Sequence, residues 1–310
     1  MTVEEIASKA RAGARPQVAI MNAVHDLPVL VARDEGFFRD EGLDIDFVTT
    51  PGMAQSTTSH FVKFESVFDR PLDSVFNTGG IDQYRMCEWG IMKRAVEARA
   101  EGRRERKIVA LGASMSKFAI VVSRDSKFHE PEMLKDQAIA VTPNNGSHFT
   151  TLKMVEGFLE PKHVKTTNAG TMKQRLQALK DGKVAAVSLM EPWISVAQKN
   201  GLRILIESHS TRSEAAGDEL DGPTLRKMFR AQARAVEVLE KDPRPYIHYL
   251  IAETGGLLQP DELQTWRLLH APPQPYTRER FDDTYNWTVK WNMTVPGATY
   301  ENTVDNRAWT

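Results

Sequence analysis

Residues 142–149 read TPNNGSHF, a cluster of asparagine, glycine, serine and histidine set between two apolar patterns. The run Ala138-Ile139-Ala140-Val141 precedes it, and Thr151-Leu152-Lys153-Met154-Val155-Glu156 follows with apolar residues at helical spacing. The expected structure is a strand–loop–helix corner with Ser147 near the N-cap. Asn144, Asn145, Gly146, Ser147 and His148 then surround several backbone N–H groups and the positive end of a helix dipole. That arrangement suits a carboxylate, sulfonate or phosphate. An ordinary turn with a serine cap has the same sequence, so the corner alone does not decide. A second polar site is Glu191-Pro192-Trp193, where the indole can stack on an aromatic or amide ligand and can equally well pack as core. Histidine adds acid or base chemistry near neutral pH without a metal.

The elements that position these residues alternate between short apolar runs and helical patterns, the signature of an α/β chain with mostly parallel strands. Strands are expected at 17–21, 44–48, 107–111, 118–123, 137–141, 184–189 and 202–206. Helices are expected at 26–36, 80–100, 147–158, 171–181, 191–199, 222–241, 243–253, 260–270 and 277–291, so helices crowd the last hundred residues. The segment 52–77 has no sustained period yet carries Phe61, Phe64, Phe68 and Phe76, which favours a packed binding loop over a loose one. Cys87 is expected mid-helix as a buried, inert thiol. His129, His163, His209, His248 and His270 sit in ordinary surface contexts.

The 310 residues suffice for one large domain or two lobes. Forty basic against forty-one acidic side chains give a net charge of −1, which argues against a nucleic-acid or polyanion binder. No run approaches 18 apolar residues, so no membrane span is expected. A single cysteine permits neither an internal disulfide nor a cysteine-built metal site. The start MTVEEIASKARAGARP has no apolar core, so the expectation is a cytoplasmic protein, or a periplasmic one if an export signal has been removed.

The run HDLPVLVARDEGFFRDEGLDIDFV, 25–48, resembles the opening strand–helix–strand of the substrate-binding-protein superfamily. That superfamily includes sulfonate-, nitrate- and taurine-binding proteins, with thiamine-pyrimidine synthases and aromatic sulfinate desulfinases as enzyme relatives. Gly36 is read as a left-handed helix cap with two phenylalanines packed beneath it, and Gly42 as the turn into the next strand. TGG at 78–80, the corner within 133–158, and RLQALKDGKVAAVSLMEPW at 175–193 resemble further family segments in the same order. The resemblance implies an α/β, two-lobed, type II periplasmic-binding-protein-like fold with a helical C-terminal region. It divides the chain into a polar arm, 1–16; lobe one, 17–113 and 208–310; and lobe two, 114–207. It also implies a ligand held by Asn22 and His25 after the first strand, by Thr78, Gly79 and Gly80 of lobe one, and by Asn144 to His148, Glu191 and Trp193 of lobe two. Two helix N-termini, at 78–80 and 144–148, would face the ligand.

Two function classes follow. One is a receptor for a small organic anion (a carboxylate, sulfonate or heteroaromatic acid), with an ABC-transporter permease as partner. The other is a lyase or hydrolase of a small aromatic acid, with His25 and His60 as acid and base; His60 lies in SHF, which resembles a segment of the desulfinases. The chain departs from those enzymes: MNAVHD, 21–26, lacks their cysteine, TGGIDQ lacks the synthases' lysine, and no iron-binding cysteine cluster is present. No metal or cofactor is expected.

Overall fold

A computed structural model of the chain describes residues 15–49, 71–293 and 297–310. Among them are nine strands and eleven α-helices. In chain order these begin β1 (Gln17–Ala19), α1 (Ala23–Asp34), α2 (Phe37–Asp40), β2 (Asp46–Val48), α3 (Pro71–Asn77), β3 (Gln83–Cys87), α4 (Glu88–Ala100) and β4 (Lys107–Val122). The middle of the chain gives β5 (Ala138–Val141), α5 (Gly146–Val155), β6 (Lys165–Asn168), α6 (Met172–Lys180), β7 (Ala186–Met190), α7 (Trp193–Lys199) and β8 (Arg203–Ala216). It closes with α8 (Gly222–Lys241), α9 (His248–Glu253), β9 (Leu269–His270), α10 (Arg278–Lys290) and α11 (Tyr300–Thr303).

The strands form one sheet in the order β2-β1-β3-β8-β4-β7-β5-β6, with β9 on β4. β1 pairs in parallel with β2 and β3, and β5 pairs in parallel with β6 and β7. The long strands β4 and β8 are antiparallel to each other and join these two halves. At one end β8 pairs with β3, from Gln83 opposite Ala216 to Cys87 opposite Arg212. Towards the other end β4 pairs with β7, from Phe118 opposite Met190 to Val121 opposite Val187. Between the halves the β4–β8 register slips from Leu111 to Met115. Such an irregularity bends a sheet and re-aims its side chains.

Helices cover the sheet for ordinary reasons. In α8 the buried Leu225, Met228, Phe229, Gln232, Ala235, Val236 and Leu239 recur at helical spacing, and this stripe packs on α1. Gly36 takes a φ of +76° between α1 and α2 and Gly42 one of +70°, which only glycine adopts cheaply. Phe38 beneath them meets Phe47 of β2 at 5.8 Å between ring centres.

The segment 80–100 is not one helix. Residues 83–87 are β3, buried throughout, and the helix starts at Glu88. The polar Gln83 and Arg85 hid the strand, and their burial is made possible by Glu214 of β8, which accepts a hydrogen bond from each. The expected strands 107–111 and 118–123 are one strand, β4, and β8 runs ten residues beyond the expected end at 206. In place of a helix at 260–270 stand two short 3-10 turns and β9. His270, expected at the surface, is half-buried there, and burial pulls its pKa down to about 4. Most of 52–77, including Phe61, Phe64 and Phe68, lies outside the described residues; Phe76 is fully buried. No described helix is long and apolar enough to cross a membrane.

Candidate functional site

Where the two halves of the sheet meet, a cavity is enclosed between β1 and β3 on one side and the corner after β5 on the other. Asn22, His25 and Cys87 line it from the first half, and Thr142, Asn145, Gly146, Ser147 and Arg175 from the second. Arg212 and Phe118 reach it from the two joining strands. Its open volume is about 20 Å³, room for roughly one water, so the side chains themselves fill the space.

Two buried arginines dominate its electrostatics. Arg175 and Arg212 are each 1% exposed, and neither forms an ion pair among the described residues. Arg175 donates to the carbonyls of Ser188 at 2.7 Å and Gly170 at 3.2 Å and to the Thr142 hydroxyl. Burial with no countercharge pulls its guanidinium down to about 9, far below the usual arginine value but still charged at neutral pH. Arg212 donates to Ser210, through the carbonyl at 3.2 Å and the hydroxyl at 2.5 Å, and lies over the ring of Phe118. Burial lowers its pKa as well. Gly146 makes room for it: a Cβ there would lie 3.1 Å from Arg212 Nη1 and 3.3 Å from the Phe118 ring. Arg85 is built differently, because Asp26 and Glu214 both hold it.

His25 presents a fixed donor. Asn22 caps α1 by accepting the His25 backbone N–H at 3.0 Å through Oδ1, which leaves its amide nitrogen to donate to His25 Nδ1 at 2.8 Å. Nδ1 is therefore the acceptor, and the proton sits on Nε2. That N–H is buried without a partner. Burial first, then Arg212 and Arg85, hold the imidazole well below its ordinary pKa, so it is neutral at pH 7. Cys87 is the N-cap of α4 and not a mid-helix residue. Burial pushes its thiol up, so it stays protonated despite the helix end and Arg212. Beside these corners Trp89 of α4 stacks on Phe149 of α5 at 5.8 Å, which ties the two halves together.

Of the residues expected at the ligand, Asn22, His25, Asn145, Gly146 and Ser147 line the cavity. Asn145 is the helix N-cap, and Ser147 instead accepts the Thr142 backbone N–H at 2.9 Å. Asn144 and His148 do not line it: Asn144 takes the turn at a φ of +52° and its N–H donates to His148 Nδ1 at 3.2 Å. Thr78, Gly79 and Gly80 are also elsewhere. They follow the C-terminus of α3, where the N–H groups of Thr78 and Gly80 close on Ser74 and Val75, so no helix N-terminus exists there. The helix N-terminus that faces the cavity from the first half is that of α4, at Cys87. Glu191 lies behind the wall, fully buried, and accepts from the Ser195 N–H at 3.2 Å and from Arg267. Burial pushes its carboxyl up to about 7. Trp193 is half-buried against the core. His60 lies outside the described residues. Among the described residues no group of histidine, cysteine and carboxylates could hold a metal ion.

Arg175 and Arg212 were not singled out from the sequence. The buried stripe of α6 is Arg175, Leu176 and Leu179, so a cation at a core-facing position was a readable signal. Arg212 stands in the polar run SHSTRSE, beyond the strand expected at 202–206, where the residue types give no apolar signal for a strand.

Glu253 supports the same corner from behind. Its Oε1 accepts the Ala23 N–H at the start of α1, at 2.5 Å. Burial, and to a lesser degree Asp26, push its carboxyl up to about 7, although the Ala23 bond pulls the other way. The native chain therefore holds a proton there that an unfolded glutamate, with its pKa near 4.5, has lost. Stability from this group is present at low pH and is lost as pH rises through about 7. Glu253→Gln keeps the acceptor and removes the charge. It should raise the melting temperature at pH 8.5, by on the order of 2 kcal/mol of stability, with a much smaller gain at pH 5. Calorimetry at the two pH values checks this, and an equal effect at both would contradict it.

No family model and no curated protein matches the sequence. Solved structures do match along nearly the whole chain. The periplasmic aliphatic sulphonate binding protein SsuA from Escherichia coli superposes with a TM-score of 0.70 at 15% identity, over 94% of this chain and 92% of that one. The periplasmic nitrate-binding protein NrtA from Synechocystis PCC 6803 gives 0.68 at 11%, over 95% and 86%. The desulfurization enzyme DSZB gives 0.58 at 14%, over 95% and 98%. The chain thus has the periplasmic binding protein fold, in agreement with the resemblance seen in its sequence. Fold alone does not assign a function.

Proposed function

We propose that this protein binds a small organic anion in the cavity between the two halves of its sheet. The observation that carries the reading is the pair Arg175 and Arg212, buried at the cavity wall with no carboxylate partner among the described residues. Burying a charge without a counterion is costly, and an anion accepting from both guanidiniums and from His25 Nε2–H offsets that cost. The N-cap corner at Asn145 to Ser147 adds a favourable dipole. The fold shared with sulfonate- and nitrate-binding proteins supports the same reading.

In this reading the chain divides into lobes at 17–113 with 208–310 and at 114–207, joined by β4 and β8, and ligand binding closes one on the other. An ABC-type permease would take the ligand, which places the protein in the periplasm. The lyase or hydrolase alternative assigns acid/base work to His25 and His60; His60 lies outside the described residues, and the setting of His25 gives that role less support. With Nε2 protonated and its pKa held low, His25 is a hydrogen-bond donor and not a general base.

A thermal-shift titration with benzoate and benzenesulfonate tests the proposal. Stabilisation well beyond that given by chloride at equal ionic strength is expected, about 3 kcal/mol at a hundredfold excess over Kd. The ligand should be recovered unchanged after long incubation. Absence of any shift would remove the proposal, and consumption of the ligand would replace it with the enzymatic reading.

A further inference from the structure

We infer that the ligand's body is apolar and carries no ammonium group, and that Met21, Met86, Met172 and Met190 form the surface that holds it. The inference rests on the anion-binding reading above and specifies the ligand of that same site. The four methionines come from four different places in the fold: the loop between β1 and α1, β3, the first turn of α6 and the end of β7. Four of the chain's twelve methionines meet at this one cavity, so its sulfur-rich wall reflects placement and not composition. Phe118 and the neutral thiol of Cys87 complete it.

Two physical consequences follow. Methionine is unbranched and polarisable, fills irregular space, and moves aside at little cost. The small open volume is then the state in which methionines occupy the room that a ring or alkyl chain takes when bound. Met172 is only half-buried at the edge of the core, the one of the four with a side towards solvent to move into. The second consequence concerns charge. None of the described residues lining the cavity is acidic, and the nearby Glu88 is held by Arg280 at 2.7 Å and by Tyr276 at 2.8 Å. A ligand ammonium would add a third positive charge beside two unpaired guanidiniums and find no carboxylate among the described lining residues to offset it.

Isothermal titration of the whole protein with four sulfonates tests this. Benzenesulfonate should bind at least about tenfold more tightly than methanesulfonate, because only the former buries an apolar body. Taurine, the 2-amino derivative of ethanesulfonate, should bind at least about a hundredfold more weakly than ethanesulfonate itself. Met172→Gln, at a half-buried position that tolerates the change, should weaken benzenesulfonate several-fold and leave methanesulfonate unaffected. Equal affinities for benzenesulfonate and methanesulfonate, equal affinities for taurine and ethanesulfonate, or a uniform loss in Met172→Gln would each overturn the inference while the anion site stands. Failure of all four ligands to bind would overturn the anion site and this inference together.

Discussion

Arg212→Met should weaken anion binding by at least about thirtyfold and leave the unliganded protein at least as stable as the parent. Truncating one partner of a buried, hydrogen-bonded charge pair costs about 2–5 kcal/mol of binding, roughly thirtyfold to several-thousandfold in Kd. The unliganded fold makes the opposite demand. Without a ligand, Arg212 is a buried cation whose hydrogen bonds run to Ser210 in its own strand. Methionine is shorter but likewise unbranched, packs its apolar chain against Phe118, and removes the desolvation cost. Titration with benzenesulfonate and thermal unfolding without ligand give the two readouts. A variant that still binds at parental affinity would contradict the role given to Arg212. So would one that unfolds many degrees lower, because Arg212 would then be holding the fold together.

Arg85→Met should behave in the reverse way. Arg85 donates to Asp26 at 2.5 Å, to Glu214 at 3.2 Å and to the Ala19 carbonyl at 3.1 Å. Both carboxylates are fully buried, so removing the guanidinium leaves two unneutralised charges and should cost about 3–5 kcal/mol. For a chain of this size that is a fall in melting temperature of about 5–8 °C. The loss should shrink at acidic pH, where Glu214, whose pKa burial already raises, takes up a proton. Thermal unfolding at pH 8 and pH 5 measures both effects. A melting temperature equal to the parent's would show that this buried network does not support the fold.

The contrast between these arginines explains what the sequence reveals and what it hides. The helix cap at Gly36, the paired phenylalanines below it, and the strand–corner–helix around Asn145 obey local rules, so residue types alone locate them. The polar strands do not. β3 carries Gln83 and Arg85, and β8 carries Ser210, Arg212, Ser213 and Glu214, all buried. Their polarity contradicts the apolar pattern by which strands are recognised, and only partners distant in sequence reconcile it with burial. Arg85 needs Glu214, 129 residues away. The resemblance of TGG to a family segment puts Thr78 to Gly80 at the ligand with a helix starting at Gly80, whereas β3 intervenes and the helix starts at Glu88. The same stretch concealed Cys87, whose position at the cavity depends on that boundary. Glu191, expected at the ligand from the resemblance of its EPW segment, is fully buried and accepts from Arg267, 76 residues on, a partner that no local pattern reveals.

The most direct test of the anion site is a crystal of the protein grown with selenate, whose selenium marks its own position by anomalous scattering. The account predicts a selenium peak inside the cavity, within hydrogen-bonding reach of the Arg175 and Arg212 guanidiniums and of His25 Nε2, and no such peak in Arg212→Met. Selenium bound only at surface lysines and arginines, with the cavity unchanged, would contradict it.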